Sequence, residues 1–115
     1  MAIECFEINW TKPFPLEKIA LQIEAKRGGI YFIFKSGVGK PYYIGKATNF
    51  EKRLNTHKQA FSRIMSEAEL KRCTVRLGLI SSFETTHMSD TFTSTQLGSI
   101  ENFFITQLQP KGNGG

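Results

Sequence analysis

A glutamate occupies a place in the last helical stretch where an apolar side chain belongs. From about Gln96 to Leu108, Leu97, Phe104, Ile105 and Leu108 recur on one face of a helix, and Glu101 falls among them. A carboxylate in an apolar stripe is costly unless it is paired, protonated or bound to a metal. Metal ligation is the reading with chemical content. The plain alternative is a carboxylate at the edge of the stripe, reaching solvent or an arginine.

Arg53 and His57 stand four residues apart and therefore on one helix face. A guanidinium forks onto two phosphate oxygens and a neutral imidazole accepts a proton, so the pair suits a phosphate site. Tyr31, Tyr42 and Tyr43 lie close to Lys46, and Tyr31 and Tyr43 face one groove if their strands are neighbours. A phenol ionises only near about pH 10, so a basic tyrosine needs cations beside it. Lys46, Arg53 and a divalent metal would supply them. The ordinary alternatives are a solvated helix face and half-buried strand aromatics.

The elements that must position these groups are legible from periodicity and punctuation. Residues 11–15 (Thr-Lys-Pro-Phe-Pro) form a turn, and Leu16, Ile19, Ala20 and Ile23 predict a helix from Leu16 to Lys26, broken at Arg27-Gly28-Gly29. Ile30 to Lys35 is β-branched and aromatic, hence a strand; a hairpin-type loop over 36–41 leads to a second strand, Tyr42 to Gly45, antiparallel to it. Thr48 and Glu51 resemble a capping box at the start of a helix carrying Phe50, Leu54 and Phe61, and a short helix is expected from about Phe61 to Leu70. Cys73 to Ile80 alternates as a third strand. Residues 81–95 are polar and loop-like, long for a connection in so small a domain. Pro110 stops the last helix. The expected order is α-β-β-α-(α)-β-α, an α/β domain with a three-stranded antiparallel sheet flanked by helices.

The 115 residues, 40% apolar with ten Phe, suffice for one core in one domain. Fifteen Lys and Arg against ten Asp and Glu leave a net charge of +5, which favours a polyanionic partner through counterion release. Lys46, Lys52, Arg53, Lys58 and Arg63 fall within 18 residues whose only acid is Glu51. The scattered Cys5, Cys73, His57 and His87 argue against a zinc site. No basic leader with an apolar core opens the chain and no apolar run approaches a membrane span, so a cytoplasmic protein without membrane contact is expected.

A family resemblance joins these features. Gly29-Ile30-Tyr31, eleven residues and then Tyr43-Ile44-Gly45 resembles the signature that names the GIY-YIG nucleases. Lys46, Asn49 and Arg53-Leu54 continue the pattern, and Glu101 with Pro110 and Asn113 resembles its closing motif. The resemblance covers residues 28–113 and leaves 1–27 as an N-terminal extension with a helix, ahead of a nuclease-like domain over 28–115. His57 stands where repair-type members carry Tyr and is similar instead to the homing and restriction members.

The resemblance implies one-metal phosphodiester hydrolysis. Glu101 would be the only protein ligand of one Mg²⁺ or Mn²⁺, with Tyr31, Tyr43, Arg53 and His57 as the remaining catalytic set. Tyr31 is the preferred base, aided by Tyr43 or His57, and the sequence does not rank them. Lys46, Lys52, Lys58, Arg63 and Asn113 are the expected phosphate and nucleic-acid contacts. The partner is nucleic acid, DNA ahead of RNA. An inactive nucleic-acid-binding module of the same fold is the alternative, and a protein-interaction domain the third.

Overall fold

Five short antiparallel strands make one sheet between two helical layers. In the computed structural model, residues 6–82 and 94–113 are described. The strands are β1 (Phe6–Trp10), β2 (Phe14–Pro15), β3 (Gly29–Phe34), β4 (Tyr43–Ala47) and β5 (Thr74–Ser82). Their order is β1-β5-β3-β4, with β2 also on β5, and every pairing is antiparallel. The three expected strands form the heart of the sheet, which β1 and β2 enlarge to five.

Alternation along β3 assigns its side chains to two separate cores. Tyr31 and Ile33 join Leu54, Phe50, Phe61, Val75 and Leu77 beneath helix α1 (Phe50–Phe61). Ile30 joins Ile44, Ile80, Leu97 and Ile100 beneath helix α3 (Ser94–Leu108), where Trp10, Phe32 and Phe104 pack as an aromatic cluster. A one-residue slip of β3 would exchange the two sets, so burial on both faces fixes the register.

Three local expectations are corrected. Leu16 to Lys26 is two 3₁₀ turns, Leu16–Leu21 and Ile23–Lys26, separated by Gln22 in an extended conformation. Leu16 and Ile19 are buried while Ala20 and Ile23 face solvent, a spacing of three that suits the tighter helix. Asn49 rather than Thr48 caps α1, accepting a 3.0 Å bond from the Lys52 N–H, and Glu51 pairs instead with Lys26. The helix expected over 61–70 is shorter and later: α2 (Glu67–Lys71) starts at a reciprocal Ser66–Glu69 capping box. Of the polar stretch 81–95, residues 83–93 lie outside the described residues.

Two glycines of the sequence motif are required by close approach. A Cβ on Gly29, whose φ is +155°, would lie 2.1 Å from the Gly78 carbonyl oxygen on β5. A Cβ on Gly45 would lie 2.3 Å from the Tyr31 ring, because Gly45 is the register partner of Tyr31 across β3 and β4. The aromatic ring fills the place a side chain would take.

Candidate active site

The outer strand β4 is flanked by α1 on one face of the sheet and α3 on the other, and an open cleft forms where the two helices come round it. The cleft is about 600 Å³. Strand β4 contributes Tyr43 and Lys46, α1 contributes Lys52, Arg53 and Thr56, and α3 contributes Glu101. Asn113, from the turn after α3, closes one side.

Glu101 resolves the anomaly of the apolar stripe. Leu97 and Ile100 beside it are buried against the sheet, and its own carboxylate is half-buried at the cleft wall. Desolvation raises its pKa, while Lys46, Arg53 and the Lys46 backbone N–H oppose that shift. Lys46 reaches α3 one turn earlier: a Cβ on Gly98 would stand 3.1 Å from its Nζ. The carboxylate therefore sits at the junction of β4 and α3, in a field of two cations.

Behind the cleft lies an aromatic stack. Tyr31 and Tyr43 pack with centroids 6.2 Å apart and planes 19° from parallel, and His57 lies 5.7 Å from the Tyr31 ring and 4.6 Å from that of Tyr43. Tyr43 faces the cleft, whereas Tyr31 is fully enclosed. Burial, then Tyr43, drives the Tyr31 phenol well above its ordinary pKa; burial also raises that of Tyr43, with Arg53 acting against it. Arg53 approaches the Tyr31 hydroxyl as a cation and donor, but among the described residues the hydroxyl has no hydrogen-bond partner of good geometry. His57 is buried, its Nε2 has no hydrogen-bond partner among the described residues, and desolvation together with Arg53 pushes its pKa down to about 4. At neutral pH this imidazole carries no charge.

Asn113 is held by β4. Its Oδ1 accepts from the Ile44 N–H at 2.9 Å and its Nδ2 donates to the Ile44 carbonyl at 2.7 Å. It thereby ties the turn after α3 to the strand that carries Tyr43 and Lys46.

The expected basic contacts do not all converge. Lys46, Lys52 and Arg53 line the cleft. Lys58 instead borders a separate hollow with Glu17, Glu67 and Lys71, and Arg63 is exposed beyond the end of α1. Thr56 was not singled out in the sequence. Its position four residues past Lys52 and three past Arg53, on the same helix face, was the available signal.

Residues 27–113 match the family model described as the GIY-YIG catalytic domain. The chain belongs to the GIY-YIG family. GIY-YIG proteins are nucleases that act on nucleic acid, and the α/β architecture with an antiparallel sheet agrees with that fold. No curated protein and no solved structure is matched by the chain. Among the described residues, no helix is long and apolar enough to cross a membrane.

Proposed function

We propose that this GIY-YIG chain is a divalent-metal-dependent endonuclease, with DNA as the first polymer to test. One observation supports the reading above the others: Tyr43, Lys46, Arg53 and Glu101, from three separate elements, line a single basic cleft. A fold kept only for binding would have no need of a half-buried carboxylate in that cleft, since it repels phosphate.

The residues fit a hard divalent cation. Glu101 is partly desolvated, and the charge that burial disfavours would be stabilised by a metal. No thiol or imidazole lines the cleft among the described residues, and no group of three or more His, Cys, Asp or Glu is assembled there. Oxygen ligation by one carboxylate, completed by water and substrate, suits Mg²⁺ or Mn²⁺ better than zinc. Bound at Glu101, such an ion would supply Lewis-acid stabilisation of the leaving oxygen.

The protein groups divide the remaining work. Water attacks phosphorus and gives its proton to a base, a new P–O bond forms, and the bond to the leaving sugar oxygen breaks, that oxygen taking up a proton from solvent. Tyr43 takes the role of base in place of Tyr31, because it faces the cleft while the Tyr31 phenol is enclosed and strongly disfavoured as an anion. Arg53 favours ionisation of Tyr43 and meets the growing charge on the phosphate oxygens. Neutral His57, packed on Tyr43, offers an acceptor behind it. Lys46 and Lys52 hold the phosphate backbone, and Asn113 fixes β4 so that Tyr43 and Lys46 keep their places.

Glu101→Gln tests the reading. The substitution keeps volume and removes the charge, so cleavage of plasmid or oligonucleotide DNA in Mg²⁺ or Mn²⁺ is expected to fall at least about a hundredfold, with binding retained. Wild-type cleavage in the presence of a chelator would refute metal dependence. Binding by the wild type without cleavage of DNA or RNA in either metal would leave the nucleic-acid-binding module instead.

A further inference from the structure

A second, smaller cleft of about 360 Å³ lies between the β3–β4 loop and the end of α3, lined by residues that neighbour those of the first in sequence. Its charged lining is Lys35, Lys40 and Lys111, and no acidic residue joins them among the described residues. Its walls are apolar, formed by Val38, Pro41 and Pro110. The Lys35 ammonium lies 4.4 Å from the centre of the Tyr42 ring, which holds that cation at the rim. Gln109 on the opposite lip has a φ of +46°, the left-handed turn by which α3 ends, with its N–H donating to the Ile105 carbonyl at 2.8 Å.

A single ridge divides the two clefts. Tyr42 lines the smaller and Tyr43 the larger; Lys111 lines the smaller and Asn113 the larger. Gly112 welds the two segments: its N–H donates to the Tyr42 carbonyl at 2.7 Å, and a Cβ there would stand 2.7 Å from the Tyr42 ring.

We propose that the smaller cleft is a subsite for one unpaired nucleotide of the substrate strand, flanking the scissile phosphate. The inference rests on the nuclease reading and deepens it. Three ammonium groups select an anion, and the proline and valine walls select a flat apolar body beside that anion. A nucleotide combines the two, whereas a base held in a duplex keeps its faces covered by its neighbours. The substrate class is therefore duplex with an adjoining single-stranded segment.

The full chain and its Lys40→Ala/Lys111→Ala variant are compared on a blunt duplex and on the same duplex carrying a single-stranded tail. Fluorescence anisotropy in chelator, over a salt series, reads binding; single-turnover cleavage in Mg²⁺ reads activity; a urea midpoint checks the fold. The wild type is expected to bind the tailed probe at least about fivefold tighter. The variant should lose that preference, with a salt slope lowered by roughly 0.7 per lysine on the tailed probe, while blunt-duplex affinity and the urea midpoint hold. Equal losses on both probes would overturn the subsite, as would no loss on either. A wild type that cleaves without tail preference overturns the subsite alone. A wild type that cleaves nothing yet keeps a tail preference removed by the variant upholds the subsite and overturns the nuclease reading alone.

Discussion

The ring of Tyr31 lies over Gly45 on the neighbouring strand so closely that a single methyl group there would collide with the ring carbon bearing the hydroxyl and with the hydroxyl itself. One glycine of the motif thus exists to seat one tyrosine of the motif.

Gly45→Ala is expected to be costly for that reason. Tyr31 is wholly buried among the rings of Tyr43, Phe50 and His57, so the strain should amount to about 1–3 kcal/mol, read as a lower urea midpoint. Tyr31→Leu in the same background should recover much of that stability, because the smaller side chain leaves room for the added methyl group. A Gly45→Ala protein as stable as the wild type would show that the ring can move.

The buried imidazole makes stability depend on pH. His57 has a native pKa near 4 against about 6.5 when unfolded, so the unfolded chain binds the extra proton between those values. Stability from this group is complete above about pH 6.5 and is lost as pH falls towards 4, on the order of 3 kcal/mol in all. Urea unfolding at pH 7 and pH 4.5 should show the loss in the wild type, and a clearly smaller one in His57→Phe. Equal losses in both proteins would assign the acid sensitivity to other groups.

Arg53→Lys should damage turnover more than binding. Lysine keeps the charge but lacks the planar fork, and it cannot serve Tyr31, Tyr43 and a phosphate together. The single-turnover rate at saturating enzyme is expected to fall roughly a hundredfold with Kd little changed. Rescue of the rate by excess enzyme would make Arg53 a docking residue.

Two lysines six residues apart on α1 should behave differently. Lys52 lines the larger cleft, and Lys58 borders a hollow that also contains Glu17 and Glu67. Lys52→Ala should lower the salt slope of nucleic-acid binding by about one unit, and Lys58→Ala should leave it alone. Equal slopes for the two variants would mean that the bound strand follows the whole helix rather than the cleft.

The parts of the fold that were legible from sequence are those whose burial leaves a period. Strands β3, β4 and β5 and helices α1 and α3 all present such patterns, and Glu101 stood out because it interrupts one. Strand β1 escaped although Glu7 and Asn9 alternate with Phe6, Ile8 and Trp10, since five residues form a strand only when β5 is there to pair with them. The segment after Pro15 was misread because Leu16 and Ile19 fit both a 3.6-residue and a 3-residue helix, and only packing decides between them. The choice between Tyr31 and Tyr43 was closed to sequence altogether. Both lie on one side of the sheet, and what separates them is that Tyr31 is fully enclosed while Tyr43, also packed on α1, borders the cleft.

Asn113 has a consequence beyond holding the cleft together. Strand β4 ends the sheet, and the amide of Asn113 meets both the N–H and the carbonyl of Ile44 as the backbone of another strand would. A sheet margin with open hydrogen-bonding groups is a template for pairing with a second molecule, and natural proteins block such margins. Here the plug is the side chain of Asn113, placed at the lip of the cleft. The contact that closes one side of the cleft therefore also occupies the two backbone groups of Ile44 that an added strand would need.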